Sequence, residues 1–241
     1  MVWGSQDPSS TVVFVIGWFG AVGAWALFLS PINTFRRVIR ERHTQGFDHV
    51  PYVVTTTQCF MWVMYSVITP GRLMPLVTNA VGAGIELGYC GVFLRFSPSR
   101  VEVLRDLGYA AACIAAAALL AHLTPFPRLA GGSPATSCVG VFASISAAAM
   151  YASPLNVAKR VVETKSVEFM PLALSVGSLI CSSCWAAFGF SVGDFFIFVP
   201  NFGGVLLALT QLVLYAIYRR SPTKNVPKFA GKSLPIAYQA P

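Results

Sequence analysis

The sequence predicts an all-α membrane protein, with seven transmembrane helices arranged as two parallel three-helix repeats joined by an inverting linker helix. Three observations carry that prediction. Apolar residues fill 55% of the 241 positions and charged residues only 11%, too greasy and too charge-poor for an ordinary water-soluble domain. Seven apolar runs reach the roughly 20 residues that a helix needs to cross about 30 Å of hydrocarbon. Finally, a polar cassette beginning Ser153-Pro154-Leu155-Asn156 echoes an earlier one beginning Ser30-Pro31-Ile32-Asn33, each followed by paired cations, β-branched residues and a later proline.

The spans fall at 12–35, 51–69, 73–95, 102–122, 137–158, 171–191 and 195–218. Run length excludes a barrel, whose lipid-spanning strands are short and alternate apolar with polar. No basic region precedes the first run, which carries on into Pro31, so it reads as a span and not as a cleaved signal peptide. Clusters of cations then follow the first, third, fifth and seventh spans, which places 15 of the 17 Lys and Arg on one side and leaves Arg72 and Arg128 on the other. By the positive-inside rule the rich side is cytosolic, the N-terminus non-cytosolic and the C-terminus cytosolic. This count requires an odd number of crossings independently of hydropathy.

Spans one to three superpose on five to seven. Pro31 matches Pro154 and Trp62 matches Trp185 at 123 residues, while Asn79 matches Asn201 and Gly82 matches Gly204 at 122. A single span between two odd triplets leaves both copies running in the same direction. The boundaries are 1–98 for the first bundle, 99–134 for the linker helix and its loop, 135–218 for the second bundle and 219–241 for a mobile cytosolic tail rich in Pro and Lys. Alanine dominates the linker from Ala110 to Ala118, which suits a helix that packs closely and carries no chemistry.

Several function classes fall away. Cations gathered between apolar runs, not along one face, argue against a nucleic-acid partner. The six cysteines lie within apolar runs as small packing residues, and Cys181 with Cys184 forms a CxxC that lacks the second pair a metal cage needs, so neither metal nor cofactor is expected. Paired intramembrane carboxylates and a Ser-His couple are missing, which leaves an enzyme nothing to stand on. A seven-span receptor does not require two copies of three helices.

The motifs Thr164-Lys165-Ser166-Val167-Glu168-Phe169-Met170-Pro171, Trp185, Asp194-Phe195-Phe196 and Pro200-Asn201, with Ser30-Pro31, Thr34-Phe35, Val50-Pro51-Tyr52-Val53, Trp62-Val63-Met64-Tyr65 and Asn79 with Gly82 and Glu86, resemble the SWEET (MtN3/saliva) sugar transporters up to about residue 218. The resemblance implies parallel repeats about an axis along the membrane normal, a central site reached alternately from either face, and bidirectional facilitated diffusion of a mono- or disaccharide without ion coupling. It also implies a homo-oligomer, a trimer, in the plasma or vacuolar membrane. The sequence agrees with a uniporter in one respect: ion-coupled carriers keep carboxylates or histidines in their spans, and here only Glu86 lies well inside one. A sorting receptor on the same duplicated fold remains the alternative.

Roles follow from the resemblance. Asn79 and Asn201 offer paired amides to sugar hydroxyls, where a lone asparagine would read as interhelical glue. Trp62 and Trp185 offer ring faces, although tryptophan commonly marks the interface belt. Gln58 and Cys181 sit one turn before each tryptophan and line the same face; Gln58 departs from the small residue usual there. Ser146 is a further pocket residue, its alternative being a hydroxyl bonded back to its own helix. Pro31, Pro51, Pro154 and Pro171 match the family's four hinge prolines, though Pro51 and Pro171 also suit simple helix starts. Tyr65, Arg72 and Asp194 form an outer gate of surface pairs worth about 0–1 kcal/mol each. Glu86, seven residues after Asn79, is either a bonded structural carboxyl or a pH-sensitive element.

Overall fold

The computed structural model describes residues 8–220 except Gln45, Thr124, Ala130, Gly131 and Phe169, with side chains from Thr11 onward. The expected tail beyond residue 220 and Phe169 of the second cassette lie outside the described residues. Among the described residues the helices are α1 (Pro8–Leu29), α2 (Ile32–Glu41), α3 (Val50–Ile68), α4 (Leu73–Phe96), α5 (Arg100–Leu123), α6 (Pro134–Ala149), α7 (Ala152–Thr164), α8 (Leu172–Ser191) and α9 (Phe195–Tyr218). They make seven crossings, because α1–α2 and α6–α7 are each one interrupted helix.

Six of the crossings are long and apolar enough to span a bilayer, and α3 is not among them. The reason is its position. Thr55, Thr56 and Thr57 lower its hydropathy, but each hydroxyl is bonded to the carbonyl four residues back, at 2.9, 2.7 and 2.8 Å. The helix packs between α4, α5 and α6, so its polar residues are hidden from lipid.

Within each half the third crossing lies between the first two: α4 separates α1 from α3, and α9 separates α6–α7 from α8. Across the halves α1 packs on α8 and α3 on α6, which are the same pairing exchanged between repeats. The six crossings therefore close a ring about a pseudo-twofold axis. Helix α5 stands outside this ring against α3, α4 and α6. It buries only Val103, Ala110 and Ala117, a single stripe at seven-residue spacing whose alanines allow close approach.

The duplication extends to backbone detail. Arg42 and Lys165, 123 residues apart, end α2 and α7 in the left-handed conformation with φ 53° and 55°. Gly71 and Gly193 precede α4 and α9 with φ 77° and 63°, in a region where glycine alone carries no steric cost. The added methyl of an alanine at Gly82 would come within 2.5 Å of the Phe28 ring, and one at Gly204 within 2.6 Å of the Ser182 hydroxyl and 3.1 Å of the Tyr151 hydroxyl. Both glycines thus let an aromatic residue of the first crossing lie over the third, and Gly204 also admits Ser182 of α8.

The two interruptions differ. At the first, Pro31 has no N–H for the Leu27 carbonyl, and Ser30 supplies both its amide at 3.1 Å and its hydroxyl at 2.8 Å instead. At the second, the helix breaks at Met150 and Tyr151, one turn before Pro154. Met150 is the residue whose carbonyl Pro154 would have bonded, so the break sits at the acceptor and not at the proline. Pro51 and Pro171 lie at helix starts, as the second residue of α3 and the N-cap of α8.

Candidate functional site

A cavity of about 350 Å³ lies between the halves. It is near the small end of the roughly 300–1,000 Å³ usual for small-molecule sites. Gln58, Trp62, Asn79, Cys181, Trp185 and Asn201 all line it, joined by Pro154 and Glu86. These residues come from α3, α4, α7, α8 and α9, so no single helix builds the wall.

The matched residues hold matched geometry. Asn79 Nδ2 donates to the Pro75 carbonyl and Asn201 Nδ2 to the Ile197 carbonyl, both at 2.8 Å. Each amide is thereby fixed on its own helix and keeps one N–H and its oxygen for a ligand. Trp62 meets Tyr65 edge to face at 5.6 Å, and Trp185 meets Phe188 likewise at 5.5 Å. Trp185 is further tied to α1 by its indole N–H, 3.1 Å from the Gly20 carbonyl. Both tryptophans are buried, at 5% and 8% exposure, so neither belongs to an interfacial belt. Flat apolar faces flanked by amides are what a sugar's C–H surfaces and hydroxyls require.

Ser146 departs from expectation. Its hydroxyl donates to the Ala143 carbonyl at 2.7 Å, and the cavity wall on this crossing is formed by Ala147, Met150, Tyr151 and Pro154. Ala147 precedes Pro154 by seven residues, which returns to the same helical face; the eight-residue step from Ser146 does not. Tyr151 and Gln211 also line the cavity and escape the sequence reading. Gln211, the second amide of the apolar helix α9 after Asn201, was the visible signal; its Nε2 donates to the Pro154 carbonyl at 3.5 Å.

At the end away from the basic loops the halves are locked together. Arg72 Nε donates to Asp194 Oδ2 at 2.6 Å, and the Tyr65 hydroxyl donates to the same oxygen at 2.8 Å. The other carboxylate oxygen caps α9 by accepting from the Ile197 amide at 3.2 Å. Arg72 and Asp194 are themselves equivalent, the N-cap positions of α4 and α9, so the pair crosses the pseudo-twofold axis. The expectation of weak surface pairs is corrected here: the side chains of Asp194 and Arg72 are 1% and 14% exposed. Removing one partner of such a pair costs about 3–5 kcal/mol, because the other charge stays buried.

Toward the basic end the halves part. A hydrophobic cluster spanning both halves joins α1, α3, α6, α8 and α9. Beyond it Phe35, Tyr52, Tyr89 and Phe93 cluster within the first half, and Val157, Val161 and Met170 within the second. The main contacts of α2 and α7 are likewise with their own half, α4 and α9 respectively.

Duplicated three-helix halves around a largely apolar, aromatic-walled cavity that carries paired amides, locked at one end and parted at the other, define a membrane transporter. A profile described as "Sugar efflux transporter for intercellular exchange" matches residues 14–101 and 137–223, one stretch per repeat. The bidirectional sugar transporter SWEET1b of Oryza sativa subsp. indica is 40% identical over 210 residues, covering 86% of this chain and 80% of that protein. SWEET1a of Sorghum bicolor is 37% identical over 226 residues, covering 93% and 83%. A solved eukaryotic SWEET transporter superposes with a TM-score of 0.81 at 32% identity, over 88% of this chain and 99% of its own. The chain belongs to the SWEET (MtN3/saliva) family, whose members are transporters and not enzymes.

Proposed function

We propose that the chain is a sugar uniporter that carries a mono- or disaccharide in either direction by facilitated diffusion and alternating access. The observation that carries this reading is the matched set of Asn79, Asn201, Trp62 and Trp185 around one cavity. A sugar there meets the same amide and ring from either half. The relatives named as bidirectional sugar transporters support the substrate class.

The locked end and the parted clusters support an inward-facing state as one end of this cycle. With the basic end cytosolic by the positive-inside rule, Arg72, Asp194 and Tyr65 close the outer gate and the parted clusters leave the inner side open. Opening the gate hydrates both charges together, which recovers the desolvation that separating them in a dry interior would not. A buried ion pair can thus serve as a reversible latch. Interruptions at Pro31 and Pro154 are the hinges, while Pro51 and Pro171 set where the moving helices begin. Residues 1–98 and 135–218 move as two bundles with 99–134 as linker and 219–241 as tail, in a homotrimer of the plasma or vacuolar membrane. The N-terminus is non-cytosolic.

Purified protein in liposomes tests this. Counterflow of labelled glucose or sucrose without an imposed ion gradient is expected. Flux that requires a proton gradient, or binding of peptide with no sugar movement, as in a sorting receptor, contradicts it.

A further inference from the structure

The cavity is symmetric in its asparagines and tryptophans but not in its charge. Glu86 lies on α4 two turns beyond Asn79, on the same face, and the position 122 residues later is Ala208. Both residues line the cavity. Glu86 is 4% exposed, its Oε2 has no hydrogen-bond partner, and among the described residues it joins no salt bridge. The groups around it do not supply one. Tyr89 spends its hydroxyl on the Phe28 carbonyl at 3.1 Å. Cys90 Sγ lies 3.9 Å from the Thr56 hydroxyl, which already donates to the Tyr52 carbonyl at 2.7 Å. A buried carboxyl oxygen left unpaired costs free energy, and acids inside membrane proteins are ordinarily paired or functional.

We propose that Glu86 is a substrate-binding residue whose carboxyl accepts a hydrogen bond from one sugar hydroxyl. This rests on the sugar-transport reading and sharpens it. The two amides hold the sugar equally from both halves, whereas the carboxyl approaches from the first half alone. The bound sugar therefore has one preferred orientation, and the site selects sugars that carry a hydroxyl at the position facing α4. A site built around a buried polar group discriminates strongly against the analogue that leaves it unpaired.

The test is counterflow in liposomes with whichever of glucose, galactose or sucrose the wild type carries fastest, and with each of its monodeoxy analogues. In the wild type one analogue is expected to show a KM at least roughly tenfold above the parent sugar through loss of the bond to Glu86. In Glu86→Ala the parent's KM rises by a similar factor while that same analogue is unaffected, so the two deletions are non-additive. Other analogues shift in parallel with the parent. Glu86→Gln, which preserves shape and an acceptor oxygen, retains part of the discrimination. An equal shift for the parent and every analogue in both variants makes Glu86 structural and overturns the proposal. Should Glu86→Ala fail to fold, Glu86→Gln decides alone: selective weakening for one hydroxyl supports the proposal, a uniform shift overturns it. Absence of flux for every sugar in the wild type is a separate result, which removes the transport reading itself.

Discussion

The two repeats agree where they meet and differ where they part. Around the cavity and its locked end, amides, aromatic pairs, glycines and capping residues recur at an offset of 122 or 123 residues. At the basic end they diverge. The first half stacks Phe35 on Tyr89 at 4.0 Å with Tyr52 and Phe93 edge-on or tilted nearby, and α5 braces it with Val103 and Ala110. In the second half the positions matching Phe35 and Tyr52 are Ala158 and Ser175, and the buried cluster reduces to Val157, Val161 and Met170. The difference teaches that the cavity geometry is held by symmetry while the packing at the basic end is not. There the first bundle carries the larger apolar cluster of the two.

The comparison breaks most sharply by removing packing. Phe35→Ala should lower stability by about 3–5 kcal/mol, as expected for an aromatic residue taken from a filled core. Val161→Ala, equally buried in the second half, should cost about half as much. Thermal unfolding in detergent gives both values. Equal losses would mean that the halves are equally packed at this end. Next in size is the latch: Arg72→Ala leaves the Asp194 carboxylate buried with Tyr65 and one amide, and disfavours the locked form by about 3 kcal/mol or more. A cysteine placed at Thr78, buried on the cavity wall six residues after Arg72, should then react with an impermeant thiol reagent added on the side of Arg72 about a hundredfold faster.

Much of this was legible in the sequence, for physical reasons. Hydropathy marks six of the seven crossings, α3 being diluted by its threonines, and α9 falls at its expected bounds because Asp194 caps one end and the cations begin at the other. Repetition reveals the cavity, since the repeated tryptophans and asparagines, Trp62 with Trp185 and Asn79 with Asn201, all line it. What escapes is whatever depends on one copy alone. Gln211 lines the cavity without a like residue in the first half, Tyr151 repeats Phe28 at 123 residues but adds a hydroxyl that only the second half carries, and Ser146 misses the wall by one residue of helical phase. Burial of the gate was equally hidden, because a loop charge looks solvated until its partner from the other repeat is placed 2.6 Å away.

The asparagines give a smaller effect and a test of the symmetry itself. Asn79→Ala and Asn201→Ala each remove one amide held in the same way, so each should raise the counterflow KM by roughly tenfold, the worth of one well-placed hydrogen bond. Near-equality is the point of the measurement. A pair that differed by an order of magnitude would show that the sugar leans on one half even at the centre.

The prolines give the smallest effect and locate the moving part. Pro31→Ala restores an N–H whose acceptor, the Leu27 carbonyl, already receives the Ser30 amide and hydroxyl, so there is little to regain and the helix stays broken. Pro154→Ala restores an N–H facing the Met150 carbonyl at the very break between α6 and α7, and removes the ring that clashes there. That substitution should straighten the crossing and slow the maximal counterflow rate about two- to threefold, a small barrier change on the transition-state scale. Pro31→Ala should leave that rate nearly untouched. The reverse ranking would put the more consequential interruption in the first half, at Pro31, where Ser30 already satisfies the freed carbonyl.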